Sequence, residues 1–310
     1  MKFASFKNAR VVRSAWLEKD GRRLDCNPYM SGALEAKYAL DLLSVPKMPL
    51  KEVTTGIFHA GREARLWVDT QEYGVPFLGS TDILQADHST LSLMSKKQVK
   101  RNPNFTLGPK WTLITRSGTI GRMAYVRPDM VGMACSEHVL RVVPEESKIP
   151  PGYLYAFLSS KFGVPLVISG TYGAIIQHIE PHHISNLPVP RFDSDFELDV
   201  HSKLDESAQL LASYRRDIQK ATEDLFASVG LRDITPDEWH HWGTDVGFTV
   251  QSIATPSLRA LNFNPRFQRL AQQIERGPHK TLAEICLPGT LKRGGRFKRI
   301  DADSEHAYRL

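Results

Sequence analysis

Asp195 to Leu231 reads DFELDVHSKLDESAQLLASYRRDIQKATEDLFASVGL. In a chain with 19 prolines this stretch has none, and its one glycine, Gly230, stands next to last. Leu204, Leu211, Ile218 and Leu225 recur every seven residues, and Ser207, Tyr214, Ala221 and Ser228 follow each of them by three. A heptad repeat of this kind predicts a helix whose seam lies against a second helix, with large residues at one position and mostly small ones at the other. Gly230 is placed to cap its end and Pro236 to stop it continuing. At 1.5 Å per residue such a helix is about 55 Å long. A small domain cannot cover a stripe of that length, so Leu204, Leu211, Tyr214, Ile218 and Leu225 are expected to meet a partner helix.

On either side of this helix the chain begins to say the same thing twice. Leu24-Asp25-Cys26-Asn27-Pro28-Tyr29 is answered 237 positions later by Leu261-Asn262-Phe263-Asn264-Pro265-Arg266. Met48-Pro49-Leu50-Lys51-Glu52-Val53 is answered by Lys280-Thr281-Leu282-Ala283-Glu284-Ile285, and Gly61-Arg62 by Gly295-Arg296. The spacing is too long for a solenoid, whose units run about 20–50 residues. It describes a duplicated domain: a first copy over 1–192, the spacer helix at 193–232, a linker at 233–260, and the start of a second copy at 261–310.

The 310 residues, 41% hydrophobic and 24% charged, are those of a globular protein with room for a proper core. No apolar run approaches the ~20 residues of a membrane span; Tyr153 to Ile168 comes nearest and is broken by Lys161 and Pro165. No membrane association is expected. The first ten residues lack a signal-peptide core, and Cys26, Cys135 and Cys286 fit neither a disulfide framework nor a zinc site. A cytoplasmic location is the expectation.

Charge separates by segment. Lys96 to Arg141 holds nine basic residues against Asp129 and Glu137, a net of +7. Arg259 to Arg299 holds ten against Glu275 and Glu284, a net of +8, whereas Asp193 to Asp233 has ten acids and five bases. Basic repeats joined by an acidic helix suit a protein that holds a polyanion with the repeats and something else with the connector.

Within the first copy a short helix at Leu34–Leu43 gives way to β-type runs: Leu66–Val68, Val75–Leu78, Trp111–Thr115, Met123–Val126 and Val139–Val143. Between two of them lies Arg116-Ser117-Gly118-Thr119-Ile120-Gly121-Arg122, a glycine-rich turn carrying two arginines and two hydroxyls. Pro150-Pro151 opens a helix to Ser160, and a second glycine-rich loop follows over Ser169–Ile179. Its chemistry lies in Tyr172, Gln177 and His178. Loops of this composition can lie against phosphates and base edges. Arg116, Ser117, Thr119, Arg122, Tyr172, Gln177 and His178 are therefore the candidate contacts to the polyanion, which the resemblance given below implies is DNA. Lys96, Lys97, Lys100, Arg101 and Lys110 are candidate phosphate neutralisers.

Catalytic motifs are weak by comparison. Asp129, Glu146 and Lys148 imitate a metal-dependent nuclease layout, but Glu146 sits in a proline-bounded loop instead of a strand. Asn27-Pro28-Tyr29 lacks the second proline of the adenine-methyltransferase motif Asn-Pro-Pro-Tyr, and its repeat lacks the aromatic residue. His182-His183 and His240-His241 have no neighbouring ligand at metal spacing, and no nucleotide-binding loop is present. No catalytic and no metal-ligating residue is expected.

Taken together, Thr112–Arg122, Phe77-Leu78-Gly79-Ser80-Thr81-Asp82-Ile83, the Ser169–Ile179 loop and Leu187-Pro188-Val189-Pro190 resemble the specificity subunit of type I restriction–modification systems. The likeness covers roughly residues 45–230, with a second half opening near Thr249. It implies an α/β (mixed α+β) target recognition domain, then a long coiled-coil-forming helix, then the start of a second recognition domain. It also implies a non-enzymatic subunit that directs DNA adenine methyltransferase subunits and a motor-nuclease restriction subunit to a bipartite site in double-stranded DNA. S-adenosylmethionine, Mg and ATP would then belong to those partners, with no cofactor in this chain. The sequence reaches Leu310 before the second counterpart of Gly79-Ser80-Thr81-Asp82, so a shortened second copy is expected, with self-dimerisation through the long helix as one way to pair it. The recognition portion of a single-chain restriction–methyltransferase enzyme is the alternative; Met1, just ahead of the first copy, is read against it.

Overall fold

The computed structural model describes residues 32–170, 178–232, 234–244, 247–249, 259–290 and 292, together with Ser14 and Tyr29. The chain divides into two compact units, 1–220 and 221–310.

In the first unit, helix α1 (Ala33–Asp41) leads into β1 (Lys47–Pro49) and β2 (Thr54–Phe58). Strands β3 (Trp67–Val68), β4 (Gly74–Leu78) and β5 (Leu93–Ser95) follow, then the six-residue helix α2 (Lys96–Arg101). Next come β6 (Thr112–Thr115), β7 (Met123–Tyr125), β8 (Ala134–Cys135) and β9 (Val139–Pro144). Helices α3 (Pro151–Ser159), α4 (Gly163–Ser169) and α5 (Pro181–Ile184) precede β10 (Pro188–Pro190) and the long helix α6 (Ser194–Ser228). The fold is mixed α/β with a long helix.

One sheet has the order β2-β9-β6-β7, all antiparallel. A second has the order β3-β5-β4-β8 and is antiparallel except for β4 with β8. Among the described residues β1 pairs with β10 alone, tying the two ends of the domain together. All four residues of β6 are buried because both faces of its sheet are covered. Ile114 and Leu140 join a core built with α1, α3 and α4. Their neighbours Leu113 and Val139 point the other way, into a core shared with Leu78 and Cys135 of the second sheet. A third cluster, with Phe77, Met94 and Val99, lies against the second sheet and α2.

Helix α6 is one uninterrupted element of 35 residues. Asp193 opens it by accepting a hydrogen bond from the Phe196 backbone N–H at 2.9 Å, and Asp195 and Glu197 favour the positive end of the helix dipole. At the far end Gly230, at φ 69°, takes the left-handed conformation. The Leu231 N–H then donates to Phe226 O, and the Gly230 N–H to Ala227 O. This is the Schellman arrangement that glycine permits.

The sequence sets the helix apart at 193–232, whereas residues up to Lys220 fall within the first compact unit. Contacts spaced three and four apart explain this. Glu197, buried, holds Arg191 through two bonds of 2.9 and 2.8 Å. The Gly152 N–H donates to His201 Nδ1 at 3.1 Å, and Tyr125 Oη–H to Asp205 at 3.3 Å. Ala208 and Ala212 are buried, and Arg215 donates to Ala86 O and pairs with Asp87, both at 3.0 Å.

The second unit contains α7 (Pro236–His241), α8 (Pro265–Glu275) and α9 (Leu282–Ile285). Thr235 and Glu238 form a capping box on α7, and Thr281 and Glu284 form one on α9. Asn264 caps α8 by accepting from the Arg266 N–H at 2.9 Å. Arg266 lies over Trp239, which meets Phe267 edge-on, and its Nε–H donates to Gly243 O. Asn27 and Pro28, the first-copy counterparts, lie outside the described residues, as do the Gly295-Arg296 pair and everything beyond Lys292. Leu50–Glu52 and Leu282–Ile285, which match in sequence, are both helical, the former as a 3-10 turn. Among the described residues, no helix is long and apolar enough to cross a membrane.

Candidate nucleic-acid interface

The glycine-rich turn joins β6 to β7 and closes on itself. The Thr115 N–H donates to Arg122 O and the Gly121 N–H to Thr115 O, while the Thr115 hydroxyl donates to Thr119 O and accepts from the Arg122 N–H. Gly118 and Gly121 stand at φ 76° and 79°, where a side chain would be strained. Gly121 has a second requirement, since an added Cβ would come within 2.8 Å of Ile168 on α4. The turn is therefore a shaped loop seated on α4, with Gly118, Thr119 and Arg122 exposed at its tip.

Arg116 faces inward. It is buried; its Nε–H donates to Ile179 O at 3.0 Å, one terminal nitrogen donates to Glu137 O at 3.3 Å, and the other pairs with Glu180. The Ser117 hydroxyl and His178 Nδ1 are 2.7 Å apart, and the two residues form a backbone bridge. Both loops singled out in the sequence are thus joined at their bases. Tyr172 and Gln177 lie outside the described residues.

A band of charge surrounds this joint. His59 Nε2 is 3.3 Å from Glu180, Arg65 pairs with Glu137 at 2.6 Å, and His138 Nε2 is 3.4 Å from Glu137. Burial pushes the Glu137 carboxyl up, but hydrogen bonds from Arg65 and from the backbone, with the Arg65 charge, outweigh it and hold the group below its ordinary range. Beneath lies Arg141, fully buried, donating to the carbonyls of Cys135, Ser136 and Val139. Burial lowers its pKa. Arg141 shapes the turn that presents Glu137 and His138.

The lysine group takes a different place. Lys96, Lys97, Lys100 and Arg101 supply four of the six residues of α2, and all four are exposed. Lys96 Nζ donates to Glu72 O at 2.9 Å, and Arg101 pairs with Glu63 at 3.2 Å. Lys110 has a positive φ of 62° and lies 4.0 Å from Glu146. Glu146 is exposed and Asp129 is held by Arg127, so both acids of the nuclease-like pattern have cationic neighbours. No group of three metal-binding side chains occurs among the described residues.

On α6, Leu204 and Leu211 line a hollow of about 190 Å³ with Tyr125 and Tyr155 of the domain. Tyr214, Ile218 and Leu225 are 57%, 51% and 59% exposed. The residues missed in the sequence are Glu180, Glu137, Arg65 and His59. They come from separate elements, and no spacing signal connects them.

No known family model matches the chain, and no curated protein matches it. Among solved structures it is similar to the HsdS subunit from Thermoanaerobacter tengcongensis, at 16% identity and a TM-score of 0.40, over 66% of this chain and 50% of that one. It is also similar to the type I restriction–modification S subunit from M. genitalium, at 11% identity and a TM-score of 0.39, over 65% and 46%. The type IIG restriction endonuclease BpuSI gives 13% and 0.43, over 63% and 30%. The chain spans about half the length, or less, of these structures. At such scores they stand as resemblances beside the geometry above.

Proposed function

We propose that this chain is a DNA-specificity subunit of a restriction–modification assembly, reading double-stranded DNA with its first domain and gripping partner proteins with α6. One observation carries the reading. Two glycine-rich loops are joined at their bases by Arg116, Glu180, Ser117 and His178, on the same domain that anchors a long helix with an exposed apolar stripe. A reader needs polar side chains held in a fixed frame, because base discrimination depends on donors and acceptors in the major groove. Thr119, Arg122 and Ser117 sit at the described part of that frame; Tyr172, Gln177 and His178 belong to the adjoining loop.

In this reading the domains run 1–192, 193–232, 233–260 and 261–310, the last beginning a second recognition domain. The matched helical turns at Leu50–Glu52 and Leu282–Ile285 support the duplication. DNA adenine methyltransferase subunits and a motor-nuclease subunit would bring S-adenosylmethionine, Mg and ATP, and the assembly would work in the cytoplasm against foreign DNA at a bipartite site. Leu211, Tyr214, Ile218 and Leu225 pair with a second helix, supplied in the simplest case by another copy of this chain. Two identical heads related by a twofold axis then read inverted half-sites.

The test is purification with an adenine methyltransferase co-expressed beside this chain, followed by binding to duplex DNA. A stable complex that prefers one sequence supports the reading. A chain that binds neither the enzyme nor any duplex refutes it.

A further inference from the structure

The lysines of α2 do not stand alone, and what stands beside them is aromatic. Trp67 on the edge strand β3 is 50% exposed and Tyr73, in the turn into β4, is 62% exposed. Four hydrogen bonds fix them next to α2. The Ser95 N–H donates to Leu66 O at 2.8 Å and the Lys96 N–H to Tyr73 O at 2.8 Å. Gln98, buried within α2, accepts from the Leu66 N–H at 2.8 Å and donates to Ala64 O at 2.8 Å. Trp67 also meets Phe77 edge-on, with ring centroids 5.2 Å apart. Phe77 and Val99 of α2 belong to the same core cluster. The exposed indole thus packs edge-on against the layer that also carries the basic helix.

The first turn of α2 is built against local preference, whereas Lys100 and Arg101 suit its last turn. Lys96 and Lys97 open the helix, where the helix dipole disfavours cations, no acid lies in its first turn, and Ser95 makes no side-chain cap. Among the described residues, the Lys97 and Lys100 side chains make no hydrogen bond or ion pair. Cations placed at the start of a helix on an exposed face beside exposed aromatic rings suit a ligand of opposite charge with apolar edges.

We infer that β3, the turn at Tyr73 and α2 form one surface that tracks the backbone of duplex DNA, with Lys97 and Lys100 on phosphates and Trp67 and Tyr73 against the sugars between them. This rests on the DNA-reading function above and extends it to residues outside the glycine-rich loops. Such a surface carries affinity and register with little sequence information, since phosphate contacts position while base contacts specify. The duplex is favoured over an acidic protein because the cations recur along one face with flat rings beside them.

The experiment measures binding of the full chain to a mixed-sequence DNA duplex of about 30 base pairs across a salt series. Lys97→Gln with Lys100→Gln, both surface changes, is expected to reduce the slope of log affinity against log salt by up to about 1.8, at about 0.9 for each phosphate left without its lysine. Trp67→Ala is expected to weaken binding about tenfold with the slope unchanged, the behaviour of an apolar anchor. Photocrosslinking of the unaltered chain to a duplex carrying azidophenacyl groups on backbone phosphorothioates is expected to label the peptide holding Trp67 and Tyr73, which removes any dependence on variant folding. If the unaltered chain binds no duplex, the DNA-reading function falls and this surface with it. If it binds, but both variants match it and no crosslink maps to this peptide, the surface is refuted while the function stands. A preference for single-stranded RNA over the duplex also overturns the inference.

Discussion

Ser117 Oγ and His178 Nδ1 lie 2.7 Å apart although 61 residues separate them in sequence. One residue earlier on the first loop and two later on the second, Arg116 and Glu180 form an ion pair from the same two segments. The Ile179 N–H also donates to Arg116 O at 3.0 Å. Backbone, hydroxyl and charge therefore lock the two loops in one register, and the shape that the loops present depends on the joint as much as on the tips.

Glu180→Gln tests that joint. Removing the charge leaves a buried guanidinium short of its counterion, and Glu180 is partly exposed, so about 2 kcal/mol is expected instead of the larger cost of a fully enclosed pair. That corresponds to a fall of about 4–8 °C in Tm. Binding should lose preference between sequences while its salt slope stays the same, because every phosphate keeps its cation. A purely supporting role would lower Tm without changing the preference.

The two glycines of the turn should respond differently. Gly118→Ala meets open space and suffers only the strain of its positive φ, about 1–2 kcal/mol. Gly121→Ala suffers the same strain and also presses on Ile168, so it should cost more. Gly118→Asn should be nearly neutral, because asparagine tolerates the left-handed region. Urea melts of the three variants rank them directly.

Helix α6 should separate folding from assembly. Ile218→Glu or Leu225→Glu changes exposed positions and should shift stability of the chain alone by less than about 0.5 kcal/mol. Either should abolish helix pairing, read as a loss of dimer in sedimentation and of methyltransferase in pull-downs. Ala212→Leu overfills a buried contact and should cost about 1–3 kcal/mol in the chain alone.

His88 gives a pH dependence. It is buried, with Nε2–H donating to Asp82 O at 3.0 Å. Burial lowers its pKa below the ordinary 6.5, aided by the charges of Arg127 and Arg215 and opposed by the Asp82 carbonyl and Asp129. The unfolded chain then binds the proton more readily than the folded one, so stability is complete above 6.5 and declines as pH falls below it. Asp129 and Glu137 are also lowered, from 3.8 and 4.5, and act only at more acid pH. Tm should fall between about pH 7.5 and 5.5, and less so in His88→Gln.

The long helix is legible in the sequence because 35 residues without proline leave one local answer, and Gly230 is the residue a left-handed cap demands. The central strands are legible too, since Thr112–Thr115 and Val139–Val143 are apolar runs bounded by turns. Arg116 is not. In sequence it belongs with the exposed donors of its turn, yet its partners Glu137, Ile179 and Glu180 lie 21 to 64 residues away. The register of the sheet and the docking of α5 bring them together, and neither leaves a periodic trace. Trp67 is hidden for the same reason: its place beside α2 is fixed by the Ser95 and Lys96 backbone and by the buried Gln98 side chain, none of which leaves a periodic trace.

The most direct test of the central claim is a genome-wide map of methylated adenines in cells that carry the partner methyltransferase with and without this chain. New methylation confined to one recurring sequence of two separated halves, altered in its preference by Glu180→Gln, is the predicted result. Methylation that is unchanged when the chain is added would contradict the account.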